Sequence, residues 1–272
     1  MCRWWVCGEK DIDMKEHLVQ MLPDELLAEK CMSKWCILAG YRGSKAHGMY
    51  MPNTDADSID DIDLMSICVP PIEYYYGLKE FGSRGTKEIM KDPFDIVVYE
   101  ALKFIRLLRQ ANPNVLCMLW LKDYLHLEPS GEMLIKNRHL FATQHAYKSF
   151  VGYAMGQLKK MTAFTFEGYM GEKRKALVRK HGYDCKNASH CIRILRMGIE
   201  FLDTGELIVE RPDRDELLSI KRGALTLHEV QDMAEMLFAE LKTYGGKCSL
   251  PTKTDDDKIN QLCVDIVKNV HQ

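Results

Sequence analysis

The feature that most constrains the fold is a change in apolar patterning near residue 130 of this 272-residue chain. Before that point, three short apolar runs have the length and β-branched character of buried strands: 35–41 (WCILAGY), 61–69 (DIDLMSICV) and 94–100 (FDIVVYE). The segment 81–89 (FGSRGTKEI), with two glycines, is predicted as a loop. After residue 130, apolar residues recur at helical spacing in segments about 144–163, 171–181, 186–203, 213–221, 226–243 and 255–270.

This pattern predicts an α+β protein with two parts. Residues 1–130 are expected to form a mixed α/β domain, and residues 131–272 an all-helical domain. The boundary is placed near Pro129-Ser130-Gly131, where turn-forming residues cluster.

The overall composition indicates neither a nucleic-acid nor a membrane partner. The formal net charge is −2, so any basic surface must be local. No apolar run approaches the roughly 20 residues that span a bilayer. The first residues, MCRWWVCGEKDID, contain no apolar stretch of signal-peptide length. A cytoplasmic protein without a membrane contact is therefore expected, and its oligomeric state is left open.

The 10 cysteines are scattered along the chain, several of them inside apolar runs. Buried free thiols are the expected state. A zinc site is the alternative for the pairs Cys2/Cys7 and Cys31/Cys36, whose four intervening residues lie at the loose edge of zinc-ligand spacing.

Three carboxylates have the pattern of a metal site. Residues two apart on a strand share a face, so Asp61 and Asp63 are predicted to project together. Two neighbouring carboxylates repel unless a cation lies between them, and a hard divalent ion, usually Mg²⁺, suits oxygen ligands. Asp95 opens the third strand and completes the cluster if the second and third strands are neighbours. We expect a two-ion Mg²⁺ site, with Mn²⁺ as the alternative, and Asp95 as a ligand or general base.

A phosphate cradle is predicted at Gly43-Ser44, which follows a buried strand and precedes a short helix. Glycine permits close backbone approach, and the exposed amides and the serine hydroxyl can hold phosphate oxygens. The spacing of a Walker loop is absent. A solvated face or a calcium loop is the alternative for the acidic stretch NTDADSIDDID, although the stretch lacks the Gly and Glu that an EF-hand requires in register.

Together, Gly43-Ser44, Asp61-Ile62-Asp63 and Asp95 resemble the signature of the DNA polymerase beta nucleotidyltransferase superfamily. The chain is most similar to one branch, the RNA-ligase-associated predicted nucleotidyltransferases. That resemblance covers about residues 37–218 and is carried by the runs GSKAHG (43–48), FDIVVYEALKF, NPNVL, KNASHCIRILRMGIEFLDTGEL and the Arg-Pro-Asp of residues 211–213.

The resemblance implies a mixed-sheet catalytic core followed by helices, Mg²⁺ dependence, and transfer of a nucleoside monophosphate from a nucleoside triphosphate such as ATP. By residue match, Asp61 and Asp63 would be metal ligands, Asp95 the third carboxylate, and Gly43 and Ser44 phosphate contacts. The branch favours RNA repair or RNA end modification. One departure is the loop between Ser44 and Asp61, which is longer than the superfamily's compact form and would be either a lid or a surface excursion.

Basic residues concentrate in residues 172–196 (EKRKALVRKHGYDCKNASHCIRILR). This segment is either a solvated face or a surface that closes over the nucleotide or a nucleic-acid acceptor. Four residues are candidate nucleotide contacts: Lys173, Lys186, His190 and Arg193. The last three share one helical face by their spacing. As alternatives, Arg193 pairs with Asp61 or Asp95, and His190 is a core histidine with satisfied hydrogen bonds.

The sequence therefore predicts a metal-dependent nucleotidyltransferase. Its catalytic groups are expected in residues 1–130, and its nucleotide- or acceptor-binding surface in the helical residues 131–272. The alternatives are a catalytically silent nucleotide-sensing or RNA-binding module on the same scaffold, and a helical interaction protein that binds calcium. The acceptor (an RNA end, a protein hydroxyl or a small molecule) and the base preference are left open.

Overall fold

The three predicted strands form the centre of a mixed sheet in the computed structural model, which describes residues 21–52, 54–55, 57–162, 170–245 and 247–272. In these residues the strands are β1 (Cys36–Tyr41), β2 (Ile62–Cys68), β3 (Thr86–Lys91), β4 (Phe94–Glu100) and β5 (His126–Leu127). Their order is β3-β4-β2-β1-β5. β2 and β4 are parallel and the other neighbours antiparallel, which confirms the α+β class.

The strand β3 lies where the sequence predicted a loop, and that prediction was wrong. β3 pairs only with β4, at the edge of the sheet. None of its residues is fully buried. An edge strand of this kind needs no apolar run, so its sequence TKEIMK carries little strand signal.

The helices from His145 onward confirm the predicted segments to within one residue at either end. The helices of the described residues are α1 (Asp24–Leu27), α2 (Gly43–Ala46), α3 (Glu73–Tyr76), α4 (Ala101–Arg109), α5 (Pro113–Leu116), α6 (Pro129–Lys136), α7 (His145–Thr162), α8 (Glu172–His181), α9 (Cys185–Thr204), α10 (Arg214–Lys221), α11 (Leu227–Thr243) and α12 (Asp256–His271). Short 3₁₀ turns occupy Cys117–Trp120 and Arg138–Phe141.

Helix α9 is the central helix of the second half and packs against α7, α10 and α11. It begins where the Asp184 carboxylate accepts a hydrogen bond from the Asn187 N–H, and it ends at Gly205, whose φ is +76°. Gly198 allows α7 to approach closely, because a Cβ there would lie 2.9 Å from the ring of Phe150. The packing brings one polar face of α9 toward the sheet.

The hydrophobic core continues across the predicted boundary. Its larger cluster joins Met65 and Phe104 to Phe150 and Phe201, and a smaller cluster lies on the other face of the sheet. At the boundary itself the chain forms the first turn of α6, where a Cβ on Gly131 would meet the backbone of β1. The division into 1–130 and 131–272 stays a prediction.

Within the described segments, no helix combines the length and apolar character that a membrane span requires.

Candidate active site

Two carboxylates from adjacent strands lie on the sheet face that is turned toward the helices. β2 and β4 pair in parallel register with Asp63 opposite Asp95. Side chains alternate along a strand, so both residues share a face with Met65 and Val97 of the larger core. Asp61 immediately precedes β2 and is exposed. The two strands are therefore neighbours, as the predicted carboxylate cluster required.

The guanidinium of Arg42 lies between these two carboxylates. Its Nη2 is 3.0 Å from Asp95 Oδ2 and 3.5 Å from Asp63 Oδ1. Its Nε donates to the Leu64 carbonyl at 3.2 Å, and its backbone N–H donates to the Asp63 carbonyl at 3.0 Å. The sequence had not singled out Arg42, although it directly precedes the Gly-Ser pair. A cation thus already bridges Asp63 and Asp95.

The predicted cluster of three carboxylates is not assembled in this arrangement. Among the residues described, no three His, Cys, Asp or Glu side chains are grouped so that they could hold one metal ion. The physical reason is that Arg42 occupies the space between Asp63 and Asp95, while Asp61 lies outside the strand and is exposed.

The Asp63–Asp95 pair nevertheless suits a divalent cation, and the Arg42 guanidinium supplies the positive charge between the two carboxylates in this structure. Burial raises the pKa of Asp63 to about 6, more than Arg42 and Lys186 lower it, and the charges of Asp95 and Asp61 add to the rise. An ionised Asp63 would therefore gain from a further positive charge. Carboxylate oxygens are also the ligands that Mg²⁺ and Mn²⁺ prefer.

The Gly-Ser pair lies directly against Asp63. Gly43 has a φ of +59°, and a Cβ on it would lie 2.2 Å from Asp63 Oδ2. Because glycine has no Cβ, the backbone at residue 43 can pass this close to the carboxylate. The hydroxyl oxygen of Ser44 is buried without a hydrogen-bond partner among the described residues. Buried hydroxyls are nearly always paired, so this group suits an oxygen of a ligand.

A cavity of about 260 Å³ opens beside these groups, between the end of β1 and helix α9. The predicted residues that line it are Gly43, Ser44, Asp63, Lys186, His190 and Arg193. The last three lie on one face of α9, as their spacing predicted. Asn114, from the NPNVL motif, also lines the cavity and was not predicted as a site residue.

The structure does not support the alternative interpretations of His190 and Arg193. The His190 Nε2 is buried and has no hydrogen-bond partner among the described residues, so the interpretation as a satisfied core histidine was wrong. Burial, with Arg193 nearby, lowers the pKa of His190 well below its usual value. Arg193 makes no ion pair with a described carboxylate, and instead its Nη1 lies 2.6 Å from His47 Nε2. The proposed pairing with Asp61 or Asp95 is therefore not found.

The long loop between Ser44 and Asp61 is joined to the helices by ion pairs. The pairs are Asp55 with Arg222 at 2.9 Å, Asp57 with Lys180 at 3.8 Å, and Asp60 with Lys221. Three carboxylates of the stretch considered for calcium are thus paired with lysine or arginine. Part of the basic face is accordingly used to hold this loop.

The innermost of these pairs is centred on Asp60, which neighbours Asp61. Its carboxylate accepts the Met51 N–H at 3.1 Å, contacts Lys221, and lies 3.3 Å from Lys186 Nζ. Burial disfavours ionisation of Asp60, but the two ammonium groups outweigh this effect and lower the pKa of its carboxyl. The contacts with Lys221 and Lys186 connect the residues just before β2 to helices α10 and α9. The sequence carried no signal for Lys221.

The other described residues that the sequence analysis singled out do not line the cavity. Lys173 is exposed on α8 and is not part of the cavity lining. Cys31 and Cys36 are buried free thiols, as expected. Cys2 and Cys7 lie outside the described residues.

Comparison with known proteins assigns the chain to a family. No curated protein matches it significantly. The model of the RNA repair pathway DNA polymerase beta family matches residues 24–265. The chain belongs to this family. A nucleotidyltransferase-like protein from Exiguobacterium sibiricum 255-15 is 11% identical, with 95% of this chain and 78% of that chain covered and a TM-score of 0.30. At that score, the similarity supports no inference.

Membership in the RNA repair pathway DNA polymerase beta family confirms the resemblance drawn from the Gly-Ser and Asp-x-Asp motifs. By family, the chain is a DNA polymerase beta-like protein. The Arg-Pro-Asp motif contributes a structural contact: Arg211 is buried and pairs with Glu200 at 2.6 Å and Asp213 at 2.8 Å. Its residues therefore brace the segment after α9 and do not line the cavity.

Proposed function

We propose that this family member transfers a nucleoside monophosphate from a nucleoside triphosphate to a hydroxyl acceptor, with release of pyrophosphate. The observation that carries the proposal is the register of β2 and β4, which sets Asp63 opposite Asp95 beside Gly43-Ser44 and the cavity. A carboxylate pair beside an exposed backbone turn suits phosphoryl transfer, because the carboxylates can bind metal ions and the turn can bind the phosphates that those ions neutralise.

Asp63 and Asp95 would hold the divalent ions, with Asp61 as the third ligand. Bound Mg²⁺ or Mn²⁺ would neutralise the triphosphate and lower the pKa of the attacking hydroxyl. For this assembly, Arg42 must leave the space between Asp63 and Asp95.

The chain's own residues would then position the reactants. Gly43 and Ser44 hold phosphate oxygens through the backbone and the unpaired hydroxyl, and Lys186, His190 and Arg193 contact the nucleotide from α9. The acceptor oxygen attacks the α-phosphorus as the bond from that phosphorus to pyrophosphate breaks. The acceptor proton passes to Asp95 or to water.

An RNA end is the acceptor we propose. The family description names an RNA repair pathway. The exposed helix α8, with Lys173 among its basic residues, is the surface proposed to contact the RNA backbone. Lys173 is therefore assigned to the acceptor side of the site, since it does not line the cavity.

The test is a transfer assay with each α-labelled nucleoside triphosphate, Mg²⁺ or Mn²⁺, and a pool of small RNAs. Label should move onto RNA with the wild type and with Asp257→Asn, an exposed control on α12, but not with Asp63→Asn. Blocking the RNA 3′ hydroxyl should abolish transfer if that end is the acceptor. Full activity of Asp63→Asn would contradict the metal assignment.

A catalytically silent nucleotide-binding module is the second candidate. The observation in its favour is that Arg42 bridges Asp63 and Asp95, so that these carboxylates are already paired. This candidate predicts that nucleotide is bound and recovered unchanged, with no labelled product on RNA, on the protein or on a small molecule.

A further inference from the structure

Arg193 is a buried cation that has no carboxylate partner within the part of the chain that the structure describes. Its side chain lies in the wall of the cavity, and the residue is 7% exposed. Burial lowers the pKa of its guanidinium to about 10, which still leaves it charged at neutral pH. Burying a charge without a counter-charge is costly, so the position suits an anion that arrives with the ligand.

The one strong polar contact of Arg193 in the described structure is with His47, from the GSKAHG motif. Arg193 Nη1 is 2.6 Å from His47 Nε2, and His47 Nδ1 is 2.8 Å from the Val209 carbonyl oxygen. A guanidinium can only donate and a carbonyl can only accept, so a single tautomer satisfies both contacts. His47 Nδ1–H donates to Val209, and Nε2 accepts from Arg193.

His47 is itself held tightly. It is 4% exposed, and its backbone carbonyl accepts the Arg211 N–H at 3.2 Å. The Arg211 side chain is in turn paired with Glu200, which belongs to the same helix α9 as Arg193. The 209–211 segment therefore forms hydrogen bonds with both the ring and the backbone of His47. The imidazole is a rigid acceptor for one nitrogen of Arg193.

The contact with His47 leaves most of the guanidinium available. Nη1 also lies 3.2 Å from the Met197 sulfur, whereas Nε and Nη2 have no hydrogen-bond partner among the described residues. Phosphate oxygens match the planar donors of arginine in pairs, provided that the guanidinium is held in one orientation.

We propose that His47 is a positioning residue that orients Arg193 to bind a phosphate group of the nucleoside triphosphate. The inference rests on the proposed nucleotide site. It assigns to the GSKAHG motif a second task, separate from the Gly43-Ser44 cradle. It also explains why the segment that contains the Arg-Pro-Asp motif is braced against the motif that follows β1.

The test is a double-mutant cycle on the binding of inorganic triphosphate with Mg²⁺, measured by calorimetry on the full chain. His47→Asn keeps a donor near the Nδ1 position but cannot reach Arg193, and it should weaken binding about tenfold, or 1.4 kcal/mol. His47→Gln, whose amide oxygen can replace Nε2, should stay within about threefold of the wild type. In an Arg193→Met background, His47→Asn should weaken triphosphate binding further by a factor of less than about two.

Three outcomes separate the possible failures. If His47→Asn loses the same factor in the Arg193→Met background, His47 acts through the general structure and the inference is overturned. If His47→Asn binds triphosphate as tightly as the wild type while Arg193→Met binds it more weakly, His47 has no positioning role. If the wild type itself binds no triphosphate, the proposed nucleotide site is wrong, and the inference that rests on it is wrong as well. Should His47→Asn not fold, His47→Leu replaces it in the cycle.

Discussion

The buried ion pair between Asp60 and Lys221 should be among the strongest ties between the sheet and the helices. Both side chains are nearly inaccessible, at 1% and 4% exposed. Removing one partner of a buried pair leaves an uncompensated charge and costs about 3–5 kcal/mol. For Lys221→Met, we expect the lower end, about 3 kcal/mol, because Lys186 stays 3.3 Å from the Asp60 carboxylate. That loss corresponds to a Tm lowered by roughly 6–12 °C.

The assay is urea unfolding followed by circular dichroism, with thermal unfolding as a second measure. The control is Lys136→Met, which removes an exposed ion pair with Glu132 and should cost less than about 1 kcal/mol. The double variant Asp60→Asn/Lys221→Met should lose much less than the sum of the single losses, because no buried charge is left unpaired. A cost below about 1 kcal/mol for Lys221→Met, or strictly additive losses, would refute the reasoning.

The residues around this pair and the carboxylates give three further expectations. Gly43→Ala should lower stability by about 1–3 kcal/mol in urea unfolding, since its Cβ would meet Asp63 Oδ2 at 2.2 Å and its φ is +59°; unchanged stability would contradict the close contact. Arg42→Gln should bind Mn²⁺ roughly tenfold more tightly by calorimetry, because a competing cation is gone; weaker binding would mean that Arg42 supports the ion. The lysines lower the pKa of Asp60, so its stabilising effect is present above about pH 4 and lost on further acidification. The stability difference between the wild type and Lys221→Met should therefore shrink below that pH.

The secondary structure was largely predictable because its signals are local. Helical periodicity located six of the described helices, those from His145 onward, and apolar runs located β1, β2 and β4. The strand β3 escaped prediction because it is an edge strand with no fully buried residue and needs little apolar sequence. The extent of α9 follows from its own caps, Asp184 and Gly205, which the chain carries next to the helix.

Part of the candidate site was also predictable, for a chemical reason. A Gly-Ser turn after a buried strand and carboxylates on two further strands form a recognisable combination, and Asp63 and Asp95 do lie opposite each other. The register follows from the strand pairing, which the sequence suggested without specifying. Local charge density, in contrast, favoured Lys173, which lies exposed and away from the cavity.

The sequence by itself determined the α+β class, the family, and the glycine, serine and carboxylate positions that we propose as the site. Only the tertiary structure decided which groups complete the site. His47 meets Arg193 across 146 residues of chain, and Lys221 meets Asp60 across 161. No local pattern encodes such contacts, because they arise only when α9 and α10 pack on the sheet face that carries the carboxylates. The same packing leaves the Arg193 guanidinium buried and without a carboxylate partner in the described residues.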